Sequence, residues 1–284
     1  MKLKKVLFWV LAVIIACSAM VYQRMTGPTY PKDYRITYQG SDYKIELPRS
    51  HGGEDDCTVE LELPAAFEGK IIWRRYPTEE PWDTLTLARR DGMLTASLPN
   101  QPPAGKLEYH LELTAKGRKI DLDDTENTVI RFKAHVPEWV LIPHVLLMVL
   151  TVIWSTATIF FAVANIPSYR RYVGITMVFL ILGGFIMGPI VQKFSFGQFW
   201  TGWPLGGDLT DNKVVFALIP FLAAWFLRKK SYGRWLAILA AAVMLAVYLI
   251  PHSVQGSELD IETGEIITGS LSALITGRGE HLRN

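Results

Sequence analysis

Val129-Ile-Arg-Phe-Lys-Ala-His-Val-Pro-Glu-Trp-Val-Leu-Ile-Pro-His-Val-Leu-Leu-Met-Val-Leu150 changes its hydrophobic period within a few residues. Val129-Ile-Arg-Phe132 ends a series of segments in which apolar and polar side chains alternate, as in a strand with one face on a core and one in water. From Val140 to Ala164 the chain is predominantly apolar. About 20 such residues, at about 1.5 Å rise each, cross a hydrocarbon layer of about 30 Å. A strand-forming block ends here and a membrane-spanning block begins.

Towards the N-terminus the alternation recurs in Tyr34–Tyr38, Tyr43–Leu47, Cys57–Leu63, Lys70–Tyr76, Leu94–Leu98 and Leu107–Leu113. Gln39-Gly40, Asp91-Gly92, Lys116-Gly117 and Gln101-Pro-Pro-Ala-Gly105 punctuate these runs as turns. Seven or more short strands in about 100 residues predict an all-β sandwich over 24–136. This block holds 35 of the 56 charged side chains, against 11 in residues 137–250. Its 16 Lys+Arg face 19 Asp+Glu with no basic surface, which argues against nucleic-acid binding. Two cysteines exclude a disulfide-stapled mini-domain. Cys57 reads as a small buried side chain at the start of a strand. His110 alternates with Tyr109 and Leu111 and is expected to face water.

Five transmembrane helices are expected. Val6–Tyr22 follows the basic flank Lys2, Lys4, Lys5 and reads as a signal anchor, with a cleaved signal or a lipoprotein signal cut before Cys17 as alternatives. Val140–Ala164 and Val173–Val191 are followed by Val214–Leu227, adequate once extended back through Asp211-Asn212-Lys213, and by Trp235–Ile250. Nine basic residues and no acid occupy the N-terminal flank and the loops around Arg170-Arg171 and Arg228–Arg234. The positive-inside rule then predicts a multi-pass bacterial inner-membrane protein with a cytoplasmic N-terminus and an extracytoplasmic C-terminus. The division is 1–23 anchor, 24–136 extracytoplasmic β-sandwich, 137–252 four-helix region and 253–284 acidic tail. Within the tail, Leu259–Ile267 alternates around Thr263-Gly264 and predicts a short hairpin. The fold class is thus a multidomain membrane protein: an all-β sandwich plus an all-α transmembrane bundle.

The external loop 192–213 carries five aromatics and four glycines. Topology brings His144, His252, Asp208, Asp211 and Lys213 to one leaflet. His144 and His252, with Asp208 or Asp211, are candidate ligands for a divalent metal, or the two histidines for a b-type haem. Lys213, Trp200 and Trp203 are candidate contacts for an anion or lipid headgroup. Each residue also has a structural reading: Thr210 or Asp211 as a helix N-cap, His144 hydrogen-bonded to a neighbouring helix, Lys213 reaching towards headgroups. Gly183-Gly184 and Gly188 predict close helix packing. No nucleophile elbow, phosphate loop or haem-attachment motif occurs, so the reading leans away from an enzyme.

Trp73 in a middle strand and Gly105-Lys-Leu-Glu-Tyr109 at a late one resemble immunoglobulin-like modules. Trp200-Thr-Gly-Trp-Pro204 and Asp208-Leu-Thr-Asp-Asn-Lys213 resemble a family of uncharacterised bacterial membrane proteins that join such a sandwich to a helical bundle. The resemblance implies architecture and carries over no catalytic residue. The function expected is binding or assembly, through lipid and another membrane or periplasmic protein. A metal- or haem-binding redox subunit is the alternative.

Overall fold

A computed structural model describes residues 2–120, 122, 126–251 and 257–267. The chain divides into two compact units. One takes in Met1–Pro28 and Val136–Ser257, the other Thr29–His135 and Glu258–Ile266.

The second unit is built from strands. Each of the seven alternating runs forms one: β1 (Lys32–Tyr38), β2 (Ser41–Leu47), β4 (Cys57–Leu61), β5 (Phe67–Arg75), β8 (Met93–Leu98), β9 (Lys106–Ala115) and β11 (Thr128–Lys133). Between them lie short strands that alternation over three or four residues does not reveal: β3 (Ser50–Gly52), β6 (Asp83–Thr86), β7 (Ala88–Arg90) and β10 (Arg118–Ile120). The largest sheet has the order β3-β11-β9-β5-β6, with β10 pairing β9; β4-β8-β7 and β1-β2 form smaller sheets. All pairings within them are antiparallel except β11 with β3. Three hairpins turn on two residues that both have positive φ, namely Gln39-Gly40, Asp91-Gly92 and Lys116-Gly117. That geometry matches the right-handed twist of the flanking strands, and glycine adopts it without a Cβ penalty.

The inward faces share one core. Tyr34, Ile36 and Ile45 from the hairpin meet Val59, Leu61 and Leu98 from the three-stranded sheet and Phe67, Ile71, Leu107 and Ile130 from the large one. Tyr109 is fully buried there and its phenol donates to Pro48 O at 2.7 Å. Burial holds that phenol neutral, well above its ordinary pKa. Cys57 is buried at the start of β4, and burial pushes its thiol up to about 11, so it is not a reactive thiolate. His110 departs from the expectation of a water-facing side chain. Its ring is half-buried against Trp82, with centroids 5.4 Å apart.

The tail strands β12 (Glu258–Leu259) and β13 (Ile266–Ile267) pair as the predicted hairpin. Glu258 is ion-paired with Lys106 of β9, so this part of the acidic tail belongs to the β unit.

The helical unit contains α1 (Lys2–Met25), α2 (Glu138–Val163), α3 (Tyr169–Leu180), a π-helical segment (Ile181–Met187), α4 (Gly188–Phe196), α5 (Leu209–Phe226) and α6 (Gly233–Leu249). Four spans are long and apolar enough to cross a membrane: α1, α2, the continuous Tyr169–Phe196 and α5. The apolar α6 is shorter, at 17 residues. Ala12, Ala16 and Ala19 form the buried stripe of α1, with spacing that lets helices approach closely. Trp9 packs on Trp154 at 4.6 Å, and Phe8 on Phe160 at 5.6 Å. The start of α1 therefore lies beside the end of α2, and Lys2, Lys4 and Lys5 share one end of the bundle with Arg170 and Arg171.

Gly183 and Gly184 are close seams of the third span against α2 and α5. A Cβ on Gly183 would lie 3.0 Å from Leu147 Cβ of α2, and one on Gly184 2.5 Å from Val214 Cγ1 of α5. Gly184→Ala should therefore destabilise the helical unit by about 1–3 kcal/mol through overpacking. Val214→Ala in the same chain should restore most of the loss, read as thermal unfolding midpoints in detergent. Equal losses with and without Val214→Ala would show that the contact does not set the packing.

Candidate functional site

The site candidates lie at the end of the bundle where α2 starts, α4 ends, α5 starts and α6 ends. Their geometry begins with a proline. Pro189 has no N–H to donate to the carbonyl four residues back, and a regular helix cannot absorb its ring. The π-helical segment immediately before it widens the turn, so that Gly188 N–H bonds to Gly183 O, five residues back. His144 Nδ1 lies 2.9 Å from the same carbonyl. A carbonyl only accepts, so Nδ1 carries the proton and neutral His144 keeps its lone pair on Nε2. The hydrogen bond to a neighbouring helix expected of His144 is thus present. The sequence signal that could have found its partner is Gly188-Pro189.

Asp208, and neither Thr210 nor Asp211, caps α5: its side chain accepts from Thr210 N at 2.7 Å. The displacement has a physical reason, because Asp211 is engaged elsewhere. Its Oδ2 accepts from Thr201 N at 2.7 Å and Gly202 N at 3.1 Å. The Gln192 amide nitrogen donates to Asp211 Oδ1 and Oδ2 at 2.9 and 3.0 Å, while its oxygen accepts from the Thr201 hydroxyl. Next along α5, Asn212 Oδ1 accepts from Trp203 N at 2.6 Å. Two consecutive side chains of the first helical turn therefore hold three consecutive backbone N–H groups of the aromatic loop. Gly202 is required there, since a Cβ would come within 2.6 Å of Asp211 Cβ.

Lys213 is also buried, at 6 % exposure, and its ammonium donates to Ile250 O at 2.9 Å and Pro251 O at 2.7 Å. These carbonyls end α6, where the helix dipole is negative and the last carbonyls have no intrahelical donors. The cation serves as a C-terminal cap supplied by a neighbouring helix. Trp200 stacks on Phe185 at 5.8 Å and donates from Nε1 to Trp203 O at 3.1 Å. Trp203 and Leu205 stand 70 % and 76 % exposed at the loop's tip, the kind of surface that enters a headgroup layer. His252, the second proposed ligand, lies outside the described residues. Among the described residues no three His, Cys, Asp or Glu side chains come together as a metal cluster.

The β unit carries a second candidate that sequence reasoning missed. A cleft of about 600 Å³ is lined by Trp73, Arg74, Arg75, Glu80, Pro81 and Asp83, among others. The Arg74 guanidinium lies 4.5 Å over the Trp82 ring and pairs with Glu108, which is buried and also accepts from Asn127 Nδ2 at 3.2 Å. Arg75 Nε donates to Glu80 at 2.9 Å, and this guanidinium holds Glu80 below the usual carboxylate range. The indole nitrogen of Trp73 and Nδ1 of His110 have no hydrogen-bond partner among the described residues. Their alternation pattern marks Trp73 and Arg74 as strand residues. That β5 and β6 bring the Glu80–Asp83 turn against them is a tertiary fact.

The buried carboxylate can be tested directly. Asp211→Ala leaves two loop N–H groups and the Gln192 amide without their acceptor, a loss of about 3 kcal/mol or more. The thermal midpoint of the helical unit should fall, and the 197–208 loop should become cleavable in limited proteolysis of the detergent-solubilised chain. An unchanged midpoint and an uncut loop would remove Asp211 as the anchor.

No family model, curated protein or solved structure matches this chain.

Proposed function

We propose that the protein is a bacterial inner-membrane binding or assembly protein that presents an extracytoplasmic, immunoglobulin-like β-sandwich to another membrane or periplasmic protein. The observation that carries this reading is the cleft on the β unit. It is lined by Arg74, whose guanidinium stacks on Trp82, and by Arg75, Glu80 and Asp83, a charged surface beside aromatic rings that is suited to recognising a peptide segment of a partner. Arg and Trp at such a surface supply most of the binding energy in protein interfaces. The orientation follows from charge. Lys2, Lys4, Lys5, Arg170, Arg171, Arg228, Lys229, Lys230 and Arg234 cluster at one end of the helices, with no acid among them. With that basic end on the cytoplasmic side, the chain would leave α1 and enter α2 on the extracytoplasmic side, which supports an external β unit and five helices in the membrane.

The test uses the full-length chain in intact cells, with a photo-crosslinking residue at Tyr76 or Glu79 beside the cleft. Adducts with an envelope protein are expected from both positions. Adducts with cytosolic proteins alone would overturn the orientation, and the absence of protein adducts would overturn the binding role.

One observation favours a second reading, a metal- or haem-binding subunit using His144 and His252. A histidine whose Nδ1–H is fixed on a backbone carbonyl presents Nε2 as metal-bound histidines do. On that reading the purified chain holds near-stoichiometric iron, zinc, copper or manganese by elemental analysis, lost in His144→Ala. Metal-free protein, or metal retained in the variant, retires it.

A further inference from the structure

At the basic end of the bundle, α3 and α5 leave a groove of about 540 Å³ between them, lined by Arg171, Gly174, Ile175, Met177, Val178 and Trp225. Four of the six are apolar side chains and the fifth is glycine. The one charge, Arg171, stands in the first turn of α3 at the groove's mouth. Gly174 sets one wall of the groove: a Cβ there would collide with the Trp225 ring, whose Cη2 and Cε3 lie 3.0 and 3.2 Å from the Cβ position. The indole therefore lies against the backbone of α3 and forms a wall. Arg228 stacks on that wall, its guanidinium 3.7 Å from the ring centroid, and donates to Trp225 O at 2.6 Å. Among the described residues no carboxylate pairs with Arg171 or Arg228, and Arg170 of α3 with Lys229 and Lys230 of the following loop add further positive charge.

A slot with an apolar body and a cationic mouth, on a span that crosses the membrane, complements one kind of molecule. We propose that the groove between α3 and α5 is a binding site for a single acidic phospholipid, whose phosphate meets Arg171 and Arg228 and whose acyl chain lies along Gly174 and Val178 against Trp225. Guanidinium groups bind phosphate oxygens with paired, charge-assisted hydrogen bonds, and basic recesses between helices at this depth select anionic headgroups. From Arg171 to Val178 the groove runs about 10 Å along the helix, enough for the upper part of one chain. Val178 is 54 % exposed, so the chain enters from the side, with no opening of the bundle. The site lies at the opposite end from His144, Asp211 and Lys213 and does not depend on the function proposed for the β unit.

The test is native mass spectrometry of the detergent-purified full-length chain titrated with phosphatidylglycerol or phosphatidylethanolamine. One phosphatidylglycerol should be retained per chain at concentrations where phosphatidylethanolamine is stripped. Arg171→Gln, which removes one phosphate contact, should weaken retention about tenfold. Val178→Trp, which fills the groove and keeps every charge, should weaken it as much. Both positions are exposed, and unchanged gel-filtration and circular dichroism profiles establish that the variants fold. Equal retention of the two lipids would overturn the proposal. So would wild-type retention in Val178→Trp, since binding would then belong to the basic loops and not to the groove.

Discussion

A helix that ends at a membrane surface leaves backbone groups without partners, and nothing in hydrocarbon can satisfy them. The helical unit meets this constraint with three buried charges on one turn of α5. Asp208 accepts from its own helix, Asp211 collects the N–H groups of the preceding loop, and Lys213 supplies donors to the end of α6. Each charge is paid back by hydrogen bonds rather than by a counter-ion. The aromatic loop acquires its shape from this turn, because the Asp211 and Asn212 side chains fix residues 201–203 before any ring packs. Trp200 can then stack on Phe185 while Trp203 points outward.

The third span depends on the same logic applied within a helix. Pro189 costs a hydrogen bond, the π-helical segment relocates the mismatch to Gly183, and the histidine of α2 satisfies the carbonyl's second lone pair. Gly183 and Gly184 are needed twice over: their backbones approach α2 and α5 directly, and the absence of side chains exposes the carbonyl that His144 reaches. A larger residue at either position would separate the helices and strand the imidazole. Packing and polar satisfaction are here one arrangement, so a steric substitution at Gly184 is also a perturbation of the His144 contact.

Much of this was legible in the sequence, for reasons that differ between the units. Period-two alternation in β1, β2, β4, β5, β8, β9 and β11 is imposed by having one face in the core, and it survives in the residues themselves. Two-residue turns such as Asp91-Gly92 are local chemistry and read equally well. The short β3, β6, β7 and β10 were invisible because three or four residues carry no clear period, and their pairing is decided by neighbouring strands. Apolar spans announced the helices, yet the N-cap of α5 was misassigned. Asp208, Thr210 and Asp211 are all good caps by type, and only the loop's demand for Asp211 settles the choice. The cleft beside Arg74 was illegible for the same reason: the 79–83 turn reaches it through strand pairing, which no spacing rule encodes.

What the unit with the buried charges can do follows from what those charges have already spent. Asp208 and Asp211 face donors from the backbone and Gln192, and Lys213 has two carbonyls on its three donors, so this end of the bundle offers little free electrostatics to an incoming ligand. His144 retains one lone pair. Charged side chains at surfaces lie elsewhere: Arg74 and Arg75 lining the cleft on the β unit, and the guanidiniums of Arg171 and Arg228 at the basic end. Recognition needs groups whose partners arrive with the ligand, whereas stability needs groups already satisfied. The turn of α5 thus spends its charges on holding the bundle together, and the surfaces at β5 and α3 are where the proposed binding would have to draw its contacts.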